Sequence, residues 1–175
     1  MKRFLAFVAA YLVCAPVLAA EPTADDYIRF FKPLAGDFTV KAKIGDKEFE
    51  ATSSAKLLAD KKCFVVTGSE VPPYPAFTSI DGYDPAAKKW KSTGYSTEGE
   101  LWVTYLSASA ESLKGRKNVA LDAEQTQIKA DGSIVKWKSK WTYTFAADKV
   151  VVTTTEQTRN GEKTPDEEWV YTPKK

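Results

Sequence analysis

The stretch from Phe77 to Tyr105 constrains the fold most, because strand-forming residues alternate there with two tight reversals of the chain. Gly82, Asp84 and Pro85 form the first reversal, and these residue types supply the backbone angles that turns require. Residues 97–100 form the second, and β-branched and aromatic residues flank both. Strands joined so tightly pair antiparallel, so this stretch predicts a meander.

The same alternation of period two recurs along most of the chain. Residues 37–44 place apolar side chains on one face and Lys or Thr on the other. Residues 136–145 show the clearest pattern, with Trp137, Trp141 and Tyr143 on one face. The chain therefore predicts an all-β fold, an up-and-down antiparallel β-barrel of about 8–10 strands. A barrel is favoured over a two-layer sandwich because the connections are short and closure removes exposed edges.

One segment, Thr23 to Lys32, predicts a short N-terminal helix. Thr23 can cap it, Asp25 and Asp26 lie in the first turn where the helix dipole favours negative charge, and Pro33 ends it. Its apolar side consists mainly of aromatic and branched residues. We expect it to pack over an open end or a seam of the β structure.

Residues 1–20 have the pattern of a secretory signal peptide, with Lys2 and Arg3 before an apolar stretch and small residues at its end. An uncleaved anchor is the alternative, but the apolar stretch is shorter than the ~20 residues of a spanning helix. Lipid attachment at Cys14 is disfavoured because bulky Val13 precedes it. We predict a signal peptide over residues 1–20, a single domain over residues 21–175, and a periplasmic or secreted protein.

Charge and cysteine content narrow the possible partners. Removal of Lys2 and Arg3 would leave 23 basic residues against 23 acidic ones, and no basic cluster stands out. Nucleic acid and stable membrane insertion after signal cleavage are therefore not expected.

Cys63 would remain the sole cysteine, which favours a small buried core residue over a reactive thiol.

The chain contains no His, which excludes a Ser-His-Asp triad and most zinc or haem ligation. Close acidic pairs occur at Glu98 with Glu100, within residues 166–168, and at Asp25 with Asp26. Each lies in a predicted turn or helix start, where we expect solvated or capping carboxylates rather than a pair for glycoside hydrolysis. We therefore predict no enzymatic activity, no metal site and no cofactor.

Two motifs carry a family resemblance. Gly36 to Phe38, after the short helix, resembles the Gly-x-Trp/Phe motif that opens the first strand of lipocalin-like (calycin) barrels. The turn from Gly82 to Pro85, followed by Trp90 and by Gly94 and Gly99, is similar to an uncharacterised bacterial domain-of-unknown-function family of such barrels. The resemblance implies a closed barrel with an internal cavity and no particular activity.

Five Trp residues, all from Trp90 onward, suggest a ligand pocket inside the barrel. The candidate ligand-binding residues are Trp102, Tyr105, Trp137, Trp141, Tyr143 and Trp169. A row of mostly small residues from Phe49 to Ala55 would face these rings, leaving either complementary packing or free space. We expect an exported barrel that binds a small apolar or amphipathic molecule. The alternative is a packed, ligand-free envelope module that acts through surface contacts with other proteins, for instance through the loop from Pro72 to Phe77.

Overall fold

The structure, a computed structural model, describes residues 20–58 and 62–175. The predicted signal peptide and Cys14 therefore lie outside the described residues, apart from Ala20. The strands are β1 (Gly36–Ile44), β2 (Lys47–Leu57), β3 (Cys63–Gly68), β4 (Phe77–Asp84), β5 (Lys89–Ser96), β6 (Leu101–Ser107), β7 (Val119–Ile128), β8 (Ile134–Phe145), β9 (Val150–Arg159), β10 (Glu162–Lys163) and β11 (Glu167–Pro173). Helix α1 spans Ala24–Phe31, and short 3-10 helices lie at Lys32–Leu34 and Ser112–Lys114.

Ten of these strands close an antiparallel barrel. Each strand from β1 to β9 pairs with the next, β9 pairs with β11, and β11 pairs with β1. The two-residue strand β10 pairs with β9 in a hairpin whose turn residues are Asn160 and Gly161. The predicted up-and-down barrel is confirmed, and within residues 20–58 and 62–175 closure leaves only the short β10 outside the ring of paired strands.

Helix α1 begins one residue later and ends one residue earlier than the sequence predicts. Thr23 is its N-cap, and a capping box joins it to Asp26: the Thr23 N–H donates to Asp26 Oδ2 at 2.9 Å. The chain then passes through the 3-10 helix at Lys32–Leu34 into β1. Gly36 makes this change of direction with φ of +135°, a conformation that other residues rarely adopt.

The helix covers one end of the barrel. Tyr27, Phe30 and Phe31 are buried, and the Tyr27 hydroxyl donates to the Leu106 carbonyl oxygen at 3.3 Å. The Phe30 ring meets the Tyr143 ring edge-on, with 5.4 Å between centroids. These contacts form the main hydrophobic core, together with Leu121 and further apolar residues of β5 to β9. The end of the barrel near α1 is therefore packed and closed.

Candidate ligand-binding cavity

A cavity of about 370 Å³ lies inside the barrel. It extends from Phe31 and Leu34 beneath the helix to Tyr74 and Pro75 in the loop at the opposite end. Ser53 and Ala55, from the small inward row of β2, line one side. The small row therefore leaves space across from the large rings, and the volume lies within the range of about 300–1,000 Å³ typical of small-molecule sites.

Five of the six candidate residues border this cavity: Trp102, Trp137, Trp141, Tyr143 and Trp169. Tyr105 does not. It lies on the outer face of β6, where its hydroxyl is 3.4 Å from Asp84 Oδ2 and Lys91 Nζ lies 5.9 Å from its ring centroid. Trp102 and Tyr105 are three positions apart, so a regular strand must direct them to opposite faces.

The indole N–H groups of three interior Trp residues are already used within the protein. Trp137 donates to Gln127 Oε1 at 3.2 Å, Trp141 to Ser139 Oγ at 2.9 Å, and Trp169 to Glu167 Oε2 at 2.9 Å. Each bond fixes the orientation of its ring. These side chains therefore offer a ligand their ring surfaces rather than their N–H groups.

Two glycines provide room for aromatic rings along the cavity wall. A Cβ atom at Gly94 would lie 2.1 Å from Trp102 Cζ2, and one at Gly68 would lie 2.3 Å from Phe77 Cε1. Each ring therefore lies over a glycine of the neighbouring strand. The two rings also meet edge-on, with centroids 5.7 Å apart. This close approach requires glycine at both positions.

Two buried glutamates correct the expectation that the paired acids are solvated. Glu98, Asp166 and Glu168 are exposed as expected. Glu100 and Glu167, in contrast, are only 6% and 8% exposed and border the cavity. They lie where β6 and β11 begin, and the strand alternation turns them inward while their neighbours face solvent.

Both glutamates are held by several donors. Glu100 accepts a hydrogen bond from Gln127 Nε2 at 2.7 Å and pairs with Lys129. Glu167 accepts from Tyr74, from Gln157 Nε2 at 3.1 Å and from the Trp169 indole. Buried carboxylates need such partners, because removal of the charged group from water costs free energy that hydrogen bonds or an opposite charge must offset.

A third carboxyl group, Asp81 on β4, also borders the cavity. Ser92 Oγ donates to Asp81 Oδ1 at 2.7 Å. Burial raises the pKa of this carboxyl, while the Ser92 and Ser79 hydroxyls oppose the rise. Asp81 thus lies among hydroxyl groups in a desolvated setting, and this position was not singled out from the sequence.

Tyr74 and Tyr171, two tyrosines near Glu167, have raised pKa values. Burial is the main cause for both, and the Glu167 carboxylate adds to it. The pKa of Tyr171 rises to about 12. Both hydroxyls therefore stay protonated at neutral pH, and Tyr74 acts as a donor to Glu167.

The loop from Pro72 to Phe77 does not present its aromatic residues outward. Tyr74 and Phe77 both border the cavity, and the Tyr74 ring centroid lies 6.0 Å from that of Trp169. Their unusual position on a turn follows from this inward packing. The loop therefore offers no exposed aromatic pair for surface contacts.

Cys63 is a free cysteine and is half-buried, so it is more exposed than the predicted core residue. Across residues 20–58 and 62–175, no cluster of Cys, Asp and Glu has the arrangement of a metal site. Within the same residues, no helix is both long and apolar enough to cross a membrane.

Comparison with models of known protein families gives no match to this chain, and comparison with curated proteins gives none either.

Proposed function

We propose that the protein is an exported lipocalin-like barrel that binds a small apolar or amphipathic molecule in its interior and acts without catalysis. The observation that supports this most is the cavity of about 370 Å³ bordered by Trp102, Trp137, Trp141 and Trp169. Aromatic rings contribute large apolar contact areas to a bound molecule. Helix α1 closes one end, so a ligand would reach the cavity from the other.

The barrel also agrees with the calycin resemblance of the Gly36 to Phe38 motif. In this proposal the protein works in the periplasm or outside the cell, needs no cofactor, and has neither nucleic acid nor a membrane anchor as a partner. Its stability then comes from the aromatic core around α1 rather than from a disulfide.

Fluorescence and calorimetry test the proposal. Titration with a panel of small lipids and aromatic compounds should quench the Trp fluorescence in a saturable manner, because all five Trp rings border the cavity. Trp141→Leu should weaken binding of the same compound in calorimetry, whereas Tyr105→Leu on the outer face should not. A flat response over the whole panel would refute the proposal.

A second candidate function, surface contact with another protein, is favoured by an exposed apolar row. Tyr95 pairs with Leu101, Leu101 with Ile128, and Ile128 with Ile134, so the four lie side by side across β5 to β8. Each is between 43% and 59% exposed. Such contiguous apolar surface is typical of interaction sites.

Capture experiments from a periplasmic extract test this second candidate. The wild-type protein should retain a partner that the Leu101→Ser, Ile128→Ser double variant does not. Identical sets of captured proteins from both would remove the case for the apolar row.

A further inference from the structure

The charged side chains that border the cavity all have the same sign. Among the described residues that border the cavity, Asp81, Glu100 and Glu167 are acidic and none is Lys or Arg. Lys129 contacts Glu100 from the end opposite the helix and remains partly exposed. A further carboxylate brought in by an anionic ligand would thus meet negative charge in a desolvated space, at a substantial electrostatic cost.

The three acids differ in how their charge is compensated. Glu100 has an ammonium group and an amide, and Glu167 has three donors, as described above. The hydrogen-bond donors that stabilise the charge of Asp81 are the hydroxyls of Ser92 and Ser79. Asp81 borders the cavity and keeps part of its surface exposed, so a group inside the cavity can reach it.

The aromatic rings that border the same cavity favour the same type of partner. The faces of Trp rings carry negative potential and attract cations, most strongly where water is excluded. Trp141 and Trp169 direct their N–H groups to Ser139 and Glu167, which leaves their ring surfaces to meet a guest. A buried carboxylate and aromatic faces together select a positively charged group on an apolar body.

We propose that the cavity binds molecules in which a protonated amine is attached to a small apolar or aromatic body, with Asp81 as the counter-ion. This inference rests on the proposed function, since it names the chemical class of the ligand for the same cavity. Fatty acids and other anionic amphiphiles are excluded as its main ligands. The amine would supply a positive charge beside the Asp81 carboxylate, which the serine hydroxyls cannot.

Three probes with the same ring and different charge separate the possibilities: naphthylmethylamine, naphthylmethanol and naphthoate. In calorimetry with the wild-type protein at neutral pH, the amine should bind roughly tenfold or more tightly than the alcohol, because both can donate a hydrogen bond to Asp81 but only the amine adds an opposite charge. Naphthoate should bind most weakly. This comparison requires no variant and therefore does not depend on any substitution being tolerated.

Asp81→Asn assigns the counter-ion. The variant should lose most of the preference for the amine and keep the affinity for the alcohol, because the shape of the cavity is retained. Asp122→Asn, at an exposed position of β7, is the matched control and should retain the preference. A preference that survives Asp81→Asn would overturn the role of Asp81.

Failure of this inference is distinguishable from failure of the proposed function. If the alcohol and naphthoate bind as tightly as the amine, the inference about charge is wrong and the proposed function stands. If none of the three binds, and the wider panel of lipids and aromatics gives no response either, both are wrong.

Discussion

Replacement of Gly94 by Ala tests how the inner wall of the barrel is built. The new Cβ atom would lie 2.1 Å from Cζ2 and 2.4 Å from Cε2 of Trp102, whereas ordinary contact begins at 3.4 Å. The ring must therefore withdraw by about 1 Å or more toward the cavity, and such overpacking costs about 1–3 kcal/mol of unfolding free energy. Chemical unfolding of both proteins measures this cost, and Tm should fall by about 2–4 °C for each kcal/mol in a domain of this size.

A double-mutant cycle identifies the cause of the loss. In a Trp102→Ala background, where the ring is absent, Gly94→Ala should cost little, and the difference between the two backgrounds gives the coupling between the residues. The shifted ring should also occupy part of the cavity and weaken binding of any interior ligand. Equal cost of Gly94→Ala in both backgrounds, or no cost in either, would refute the placement of Trp102 over Gly94.

Three further substitutions test other parts of the structure. Burial raises the folded-state pKa of Asp81 above 3.8, so the folded protein holds this proton more tightly than the unfolded chain. The free energy of unfolding should therefore fall as pH rises from 3.8 through the raised pKa. In urea unfolding over this pH range, Asp81→Asn should lack this fall. An unchanged pH profile would contradict it. Thr23→Ala removes the N-cap of α1 and should cost about 1 kcal/mol in the same assay, whereas Thr93→Ala on an exposed strand position should cost less. Phe30→Ala should cost about 3–5 kcal/mol, since this ring fills the closed end; a loss below 1 kcal/mol would indicate that α1 does not seal the barrel.

The architecture could be predicted from the sequence because each strand carries its own alternation. In β8, Trp137, Trp141 and Tyr143 share a face, and the structure directs all three inward. Most connections are short turns, and strands that follow one another along the chain are neighbours in the sheet from β1 to β9. The pairing of β11 with β1 closes the barrel, and closure is what the need to satisfy sheet edges predicts.

The interior was less predictable, because a single step along a strand changes the face. Tyr105 shows this in β6, where a dense aromatic run offers two possible inward rows and only contacts with neighbouring strands decide between them. Glu100 and Glu167 are the acidic examples, because local sequence does not reveal that their side chains face the interior. Each lies within two residues of an exposed acid near a turn, and its burial depends on distant donors such as Tyr74 and Gln127, which no local pattern reveals.

Intermolecular NOEs between naphthylmethanol and labelled valine methyl groups test the central claim most directly. Val66 and Val152 border the cavity, whereas Val103 and Val151 lie on the outer faces of β6 and β9 and serve as internal controls. A ligand held inside the barrel should give NOEs to Val66 and Val152 and none to the outer pair. NOEs confined to Val103 and Val151, or none at all at saturating probe, would contradict an interior binding site.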